Sequence, residues 1–258
     1  MQKAVEIESK GLILRGTLHI PENITADIPI VCIFHGFTGD KIGSHFIFVK
    51  LSRILAERGI ASVRFDFGGS GESDGDFVDM TVSRELDDAN AILDYAKSLD
   101  FVDKNRIGIL GLSLGGAVAS MLAGDRKEDI QSLCLWAPAG NIREIVMNRE
   151  KNEKEDLKKM LRNGFRDMGG LMLGIDFLKD TENINVFERA VNYDKNVLLI
   201  HGDNDEIIKH SVSEKYLDIY GDKAVLYTVN GADHTFNSIN WENEVIDCTS
   251  NFLEKELK

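Results

Sequence analysis

Short runs of consecutive apolar residues alternate along this chain with longer segments of helical periodicity. Uninterrupted apolar runs are typical of strands that are buried on both faces of a parallel sheet. They occupy residues 30–34, 61–65, 107–110, 133–136, 197–200 and 224–229. Residues 4–8 and 12–20 predict a hairpin that turns at Lys10-Gly11. Apolar spacing predicts helices over residues 48–55, 86–96 and 241–257, with Thr81 or Ser83 as the N-cap of the second. This alternation predicts an α/β protein, with a mostly parallel eight-stranded sheet and helices on both faces.

The alternation stops between the strand that ends at Trp136 and the strand that starts near Val197. About 60 residues separate them, far more than an ordinary connection needs. This stretch is either a surface excursion with a small core of its own or a cap folded over a cleft. We favour the cap, because the stretch leaves and re-enters the sheet on the side where strands end. The predicted division is a core domain of residues 1–140 and 191–258 and an inserted cap of residues 141–190.

Ser113 is the candidate nucleophile, in the motif Gly111-Leu112-Ser113-Leu114-Gly115. A hydroxyl is a weak nucleophile and must be exposed beside a base. A sharp turn between a strand and a helix exposes it, and glycines flank such a turn because side chains there would collide. The motif also occurs by chance as a turn without chemistry. Here a buried strand precedes it and a helix-forming segment follows, which favours the nucleophile.

Two further candidates follow later strands. Asp205 comes just after the run at 197–200, and His234 comes just after the run at 224–229. Parallel strand ends on one edge converge, so Ser113, Asp205 and His234 are predicted to meet there. His234 would take the proton from Ser113, and Asp205 would orient His234. Asp203 and Glu206 are alternative carboxylates, and the spacing after the strand favours Asp205.

The oxyanion of an acyl-transfer reaction needs two hydrogen-bond donors. The loop His35-Gly36-Phe37-Thr38-Gly39 follows a buried strand, and the backbone N–H of Phe37 is one candidate donor. The backbone N–H of Leu114 is the second. Gly36 gives the backbone room to turn inward, and His35 is expected to support the loop by hydrogen bonding rather than to act as a base.

Composition narrows the classes of function. The chain has 258 residues and a formal net charge of -13. That charge disfavours nucleic acids and anionic membranes as partners. The three separated cysteines predict reduced thiols, and the scattered histidines predict no metal site. The N-terminal residues lack the apolar run of a signal peptide, so a cytoplasmic location is expected. No cofactor is predicted.

Several motifs together resemble the α/β-hydrolase superfamily. They are His35-Gly36-Phe37-Thr38-Gly39, the segment 64–73, the elbow around Ser113, and Gly231-Ala232-Asp233-His234. Segments 44–50 and 73–77 are similar to bacterial cinnamoyl (feruloyl) esterases in particular. The resemblance implies hydrolysis of carboxylic esters through an acyl-enzyme, and a lid in the inserted stretch that helps bind an aromatic acyl group. Within residues 141–190, Phe165, Phe177 and Phe187 are the candidates for that contact.

The predicted function is therefore a serine carboxylesterase for small-molecule esters, of hydroxycinnamates or of other short aromatic or acyl groups. A serine peptidase or amidase on the same fold is the alternative, and a non-catalytic binding protein is a third hypothesis. The presence of all three candidates, Ser113, Asp205 and His234, argues against a binding protein. The sequence leaves open whether the protein is a monomer or a homodimer.

Overall fold

A computed structural model describes residues 1–22, 24, 27–152 and 154–258. The strands are β1 (Gln2–Ser9), β2 (Leu12–His19), β3 (Ile28–Phe34), β4 (Ala61–Phe65), β5 (Val102–Leu112), β6 (Ser132–Trp136), β7 (Phe165–Asp167), β8 (Met172–Gly174), β9 (Val197–Gly202) and β10 (Ala224–Val229). The α-helices are α1 (Ile47–Glu57), α2 (Val82–Ser98), α3 (Leu114–Asp125), α4 (Ile142–Asn152), α5 (Lys154–Asn163), α6 (Ile175–Asn183), α7 (Val186–Ala190), α8 (Ser211–Tyr220) and α9 (Ile239–Leu257).

Eight of these strands form one sheet in the order β1-β2-β4-β3-β5-β6-β9-β10. Strand β2 pairs antiparallel with β1 and β4, and the pairs from β4 through to β10 are parallel. The predicted mostly parallel eight-stranded sheet is confirmed. Strand β5 is longer than its apolar run, because its polar first half, from Val102, continues the same strand.

The sheet is buried on both faces, as the apolar runs predict. Alternate residues of one strand enter different cores: Cys32 and Phe34 join one apolar cluster, whereas Val31 and Ile33 join the other. Helices α2, α3 and α8 contribute to the first cluster, and α1 and α9 contribute to the second. Thr81 caps α2, because its side chain accepts a hydrogen bond from the backbone N–H of Arg84. The parallel strands therefore end together at one edge, between two layers of helices.

The stretch between β6 and β9 folds into helices α4 to α7 and a small antiparallel pair of β7 and β8. In this pair Phe165 lies opposite Gly174, and Asp167 lies opposite Met172. At the far end of the stretch, Val186 and Ala190 of α7 are buried in the larger core cluster. Over the described residues, no helix combines the length and apolar character that crossing a bilayer requires.

Candidate active site

Ser113 lies at the turn between β5 and α3, at the edge of the sheet where the parallel strands end. Its backbone has φ 56° and ψ -118°, a conformation that residues with a side chain rarely adopt. The turn is tight enough that a Cβ at Gly111 would lie 2.1 Å from the carbonyl oxygen of Gly115. A Cβ at Gly115 would lie 2.3 Å from the carbonyl oxygen of His35. The two glycines of the motif are therefore required by close backbone contacts.

The loop after β10 brings His234 to Ser113. The Nε2 atom of His234 lies 2.9 Å from the Ser113 hydroxyl, and its Nδ1 atom lies 2.6 Å from Oδ2 of Asp205. A neutral imidazole that donates from Nδ1 to the carboxylate leaves Nε2 free to accept the serine proton. The three residues singled out from the sequence thus form one hydrogen-bonded chain, although they are far apart along the polypeptide.

Asp205 is held rigidly in the loop after β9, and its side chain is fully buried. Its Oδ1 atom accepts hydrogen bonds from the backbone N–H groups of Ile207 at 2.8 Å and Ile208 at 2.9 Å. Burial alone would raise the pKa of Asp205, but the hydrogen bonds from His201 and His234 outweigh it and hold that pKa well below its ordinary value. Asp205 is therefore a carboxylate beside His234 at neutral pH.

A second histidine shares the same carboxylate oxygen. His201 is fully buried, and its Nε2 atom lies 3.1 Å from Oδ2 of Asp205 and 2.9 Å from the carbonyl oxygen of Ile208. Two acceptors at Nε2 require a proton there, so Nδ1 accepts from the Ser213 hydroxyl, 2.7 Å away. No role for His201 follows from histidine spacing alone. The signal that could have identified it is its position at the end of a buried strand, four residues before Asp205.

The two alternative carboxylates point elsewhere. Asp203 is exposed, and its Oδ1 atom accepts a hydrogen bond from the backbone N–H of Gly231 at 2.5 Å. Glu206 is also exposed, and it lines one cavity together with Ser113 and another together with His234. Asp205 is the carboxylate that reaches His234.

Phe37 lies in the loop that follows β3, residues 35–43, which we call the β3 loop. Leu114 is the first residue of α3 and directly follows Ser113. Both residues line one cavity together with Ser113. As the first residue of a helix, Leu114 has no acceptor for its N–H within that helix. Gly36 brings the β3 loop close, because a Cβ there would lie 3.1 Å from Cβ of Ser113 and 3.2 Å from the carbonyl oxygen of Leu112.

His35 fixes the orientation of that loop from inside the core. Its Nδ1 atom lies 2.9 Å from the carbonyl oxygen of Gly36, and its Nε2 atom accepts from the backbone N–H of Phe67 at 3.1 Å. Nδ1 must therefore carry the proton and donate to Gly36. Because the Gly36 carbonyl and the Phe37 N–H belong to one planar peptide, holding the carbonyl toward His35 turns the N–H the other way. Burial lowers the pKa of His35 and keeps it neutral, outweighing the hydrogen bond to Gly36.

The segment after β4 supports the same loop. Asp66 is fully buried and accepts from the backbone N–H of Lys41 at 2.7 Å and from its Nζ atom at 2.5 Å. Arg64 donates to the carbonyl oxygen of Lys41 at 2.8 Å. The glycine-rich string that begins at Asp66 is therefore structural here, since it anchors the β3 loop.

A cavity of about 230 Å³ opens beside Ser113, and its walls are mainly apolar. The β3 loop, the start of α3 and the loop after β9 form one side, and α4, α5, β7, β8 and α6 form the other. The apolar lining comprises Phe37, Leu114, Ala139, Ile142, Ile145, Val146, Leu157, Met160, Met168, Leu173, Phe177, Leu178, Ile207 and Ile208. Arg166 and Glu206 are the charged side chains among the described lining residues.

The three phenylalanines singled out in the inserted stretch have different environments. Phe177 is buried in the cavity wall, with its ring centroid 5.6 Å from that of Phe37. Phe165 is half-buried in β7 and is not part of the described cavity lining. Phe187 packs away from the cavity, with its ring 4.9 Å from that of Tyr216 and Lys215 Nζ 3.9 Å from its ring centre. Only Phe177 of the three is placed to touch a molecule in this cavity.

A second, open cleft of about 460 Å³ is lined in part by His234. Polar or charged residue types predominate among its lining residues, which are Asn204, Glu206, Ile207, Asp233, His234, Thr235 and Asn237. Glu206 and Ile207 belong to both linings and mark the border between the two spaces. Within the part of the chain that the structure describes, no group of three or more His, Cys, Asp or Glu side chains is arranged to hold a metal ion.

Comparison with known proteins identifies the family. The model of the Hydrolase_4 family, described as serine aminopeptidase, S33, matches residues 27–169, more than half of the chain. A solved structure of Est1E from Butyrivibrio proteoclasticus with bound ferulic acid superimposes with a TM-score of 0.85 at 28% identity, covering 98% of this chain and 99% of that one. This protein belongs to the Hydrolase_4 family; it is an α/β-hydrolase, as its motifs indicate, and is similar to Est1E.

Other relatives match parts of the chain in sequence. An uncharacterised 31.7 kDa protein of Escherichia coli is 29% identical over 192 residues, which are 70% of this chain and 63% of that protein. The mouse mitochondrial palmitoyl-protein thioesterase ABHD10 is 29% identical over 165 residues, or 62% of this chain and 54% of that protein. The chain thus spans less than two thirds of the length of these two relatives.

Proposed function

We propose that this hydrolase is a serine carboxylesterase that cleaves small-molecule esters through an acyl-enzyme on Ser113. The observation that carries the proposal is the hydrogen-bonded chain from Ser113 through His234 to Asp205, at the mouth of an apolar cavity. Such a chain converts a hydroxyl into a nucleophile at neutral pH, because the proton it loses has a base waiting at 2.9 Å.

In the first step, the Ser113 oxygen attacks the ester carbonyl while its proton passes to Nε2 of His234. The imidazolium that forms is stabilised by Asp205, whose charge faces Nδ1. Collapse of the tetrahedral intermediate breaks the bond to the leaving oxygen, which takes the proton from Nε2 and departs as the alcohol. In the second step, His234 removes a proton from water, the hydroxide attacks the acyl carbon, and the proton returns to the Ser113 oxygen as the acid is released.

The backbone N–H groups of Phe37 and Leu114 are the proposed oxyanion donors. The loops around His35 and Ser113 hold these two N–H groups in position. The groups therefore need not move when the negative charge develops on the substrate oxygen. We expect Gly36→Ala to lower kcat/KM by roughly 10- to 100-fold, because the added methyl group pushes the donor loop away from Ser113. Steady-state kinetics on a nitrophenyl ester checks this.

Phe37→Leu is the control for that variant, since it keeps the backbone N–H and removes the aromatic ring. It should retain much more activity than Gly36→Ala toward a short acyl ester. Equal losses in the two variants, with unchanged thermal unfolding, would contradict the role given to the loop backbone.

The acyl group is proposed to occupy the apolar cavity, with residues 141–190 acting as a cap over it. The cap supplies Met160, Leu173 and Phe177, and the core supplies Phe37 to the opposite wall. Apolar and aromatic walls favour short aromatic acids such as hydroxycinnamates, and the ferulic acid held by Est1E supports the same class.

A serine aminopeptidase or amidase is the second candidate. The matching family is described as serine aminopeptidase, S33, and the exposed residue Glu206 is part of the lining of the acyl cavity. An anionic group at that place suits the α-ammonium of an aminoacyl substrate. The two candidates differ in the substrate and share the nucleophile.

The test joins covalent labelling to a substrate panel. A fluorophosphonate should label wild-type protein on the peptide that contains Ser113, as mapped by mass spectrometry. Methyl ferulate, methyl cinnamate, nitrophenyl esters of graded chain length and aminoacyl anilides are then compared by kcat/KM. We expect cleavage of the esters, with aromatic acids preferred over acetate. Cleavage of anilides alone would replace the esterase by the aminopeptidase, and a failure of labelling would exclude both.

A further inference from the structure

We propose that the open cleft beside His234 binds the alcohol part of the ester, and that Glu206 makes it selective for alcohols that carry a positive charge. This inference rests on the proposed esterase function and adds to it the chemical class of the leaving group. The esterase proposal by itself concerns only the acyl side.

The chemistry assigns each half of the substrate to one space. The carbonyl oxygen must meet the Phe37 and Leu114 amides, and both of these line the apolar cavity with Ser113. The leaving oxygen must meet Nε2 of His234, and His234 is among the described residues that line the open cleft but not among those that line the apolar cavity. The acyl group therefore extends into the apolar cavity and the alcohol extends into the cleft.

The polar groups of the cleft differ in whether they are already paired. The carboxylate of Asp233 accepts from the backbone N–H of Asn237 at 2.9 Å and from its side-chain amide at 3.0 Å. The same amide donates to the Thr235 hydroxyl at 2.7 Å. Each carboxylate oxygen of Asp233 therefore already accepts a hydrogen bond from Asn237.

Glu206 is the other carboxylate of the cleft. Its side chain is exposed, and none of the groups that the structure describes forms a hydrogen bond or ion pair with it. It lies on the border of the two spaces and is next in sequence to Asp205. No Lys or Arg side chain is among the described residues that line the cleft. A cationic alcohol would therefore meet a free carboxylate, and an anionic alcohol would meet two negative side chains, Glu206 and Asp233.

The test uses three butanoate esters whose alcohols have similar size and different charge. These are the choline ester, the uncharged 3,3-dimethylbutyl ester and the anionic 2-sulfoethyl ester. Each kcat/KM is divided by the rate constant for alkaline hydrolysis of the same ester, which removes differences in intrinsic reactivity. In the wild-type protein we expect the choline ester to exceed the uncharged ester by roughly tenfold, and the anionic ester to fall below it by a similar factor.

Glu206→Gln should reduce the preference for choline over the uncharged ester, taken as the ratio of their kcat/KM values, to within about threefold. Glu57→Gln is the matched control. Glu57 is also exposed, and its replacement by Gln changes the net charge by the same amount. It is the last residue of α1, just before β4 begins, and so lies at the end of the strands opposite to Ser113. This control should keep the wild-type preference.

The inference is overturned if the wild-type protein shows no preference for the choline ester, or if Glu206→Gln leaves that preference intact. It is also overturned if Glu57→Gln loses as much of the preference as Glu206→Gln, because the effect would then come from net charge. Hydrolysis of the uncharged ester separates this inference from the esterase proposal. If the wild-type protein cleaves that ester and is labelled on Ser113, the esterase stands whatever the charge preference shows.

Discussion

Replacement of Ser113 by alanine is expected to lower kcat for ester hydrolysis by about 10⁶-fold, leaving a small residual rate from the oxyanion donors and substrate binding. The variant removes the attacking oxygen and its hydrogen bond to His234, and it alters nothing in the core. The measurement is kcat under saturating nitrophenyl butanoate, with thermal unfolding to confirm that the fold is retained.

The size of that loss discriminates between mechanisms. A variant that keeps a tenth of the wild-type rate would show that water, activated by His234, attacks the ester directly. Ser113→Cys provides a useful comparison, because a thiol at the same position can still form an acyl-enzyme. Mass spectrometry of rapidly quenched wild-type protein should detect the acyl adduct on the peptide that contains Ser113.

Replacement of Asp205 by asparagine is expected to lower kcat by about 10⁴-fold. The asparagine oxygen would stay with the N–H groups of Ile207 and Ile208, which leaves its NH₂ group facing His234. His234 must then accept at Nδ1 and carry its proton on Nε2, where it can no longer accept the proton of Ser113. The measurement is kcat across pH 6 to 9 at saturating ester.

Asp203→Asn is the control that the chain itself offers, two residues away. Asp203 is exposed and accepts from Gly231 rather than from His234, so its replacement should leave kcat nearly unchanged. The opposite result, with Asp203→Asn inactive and Asp205→Asn active, would exchange the roles of these two carboxylates.

The sheet could be predicted from the sequence because a strand buried on both faces leaves an uninterrupted apolar run. The same runs place Ser113, Asp205 and His234 at one edge, since each follows the end of a parallel strand. Spacing after the strand favours Asp205 over Asp203, and the backbone N–H groups that hold it in place become visible only in the folded loop.

The apolar cavity was much harder to predict. Its lining combines residues from α4, α5, β7, β8 and α6 with core loops, and those contacts depend on how the inserted stretch packs. The sequence does not distinguish Phe177 from Phe187, since both are phenylalanines of the inserted stretch. In the structure, Phe187 packs against Tyr216 and Lys215 of α8. His201 has no distinctive spacing to other histidines. Its hydrogen bond to Asp205 forms because His201 lies near the end of β9 and Asp205 lies in the loop that follows the same strand.

The positive φ of Ser113 has a thermodynamic consequence for the whole fold. A conformation of this kind costs on the order of 1–3 kcal/mol for a residue with a Cβ, and glycine would adopt it with much less strain. Stability considered alone would therefore favour glycine at position 113, at the price of the hydroxyl. The serine found there places this protein on the functional side of a stability–activity trade-off, and selection for thermostability without selection for catalysis would be expected to remove it.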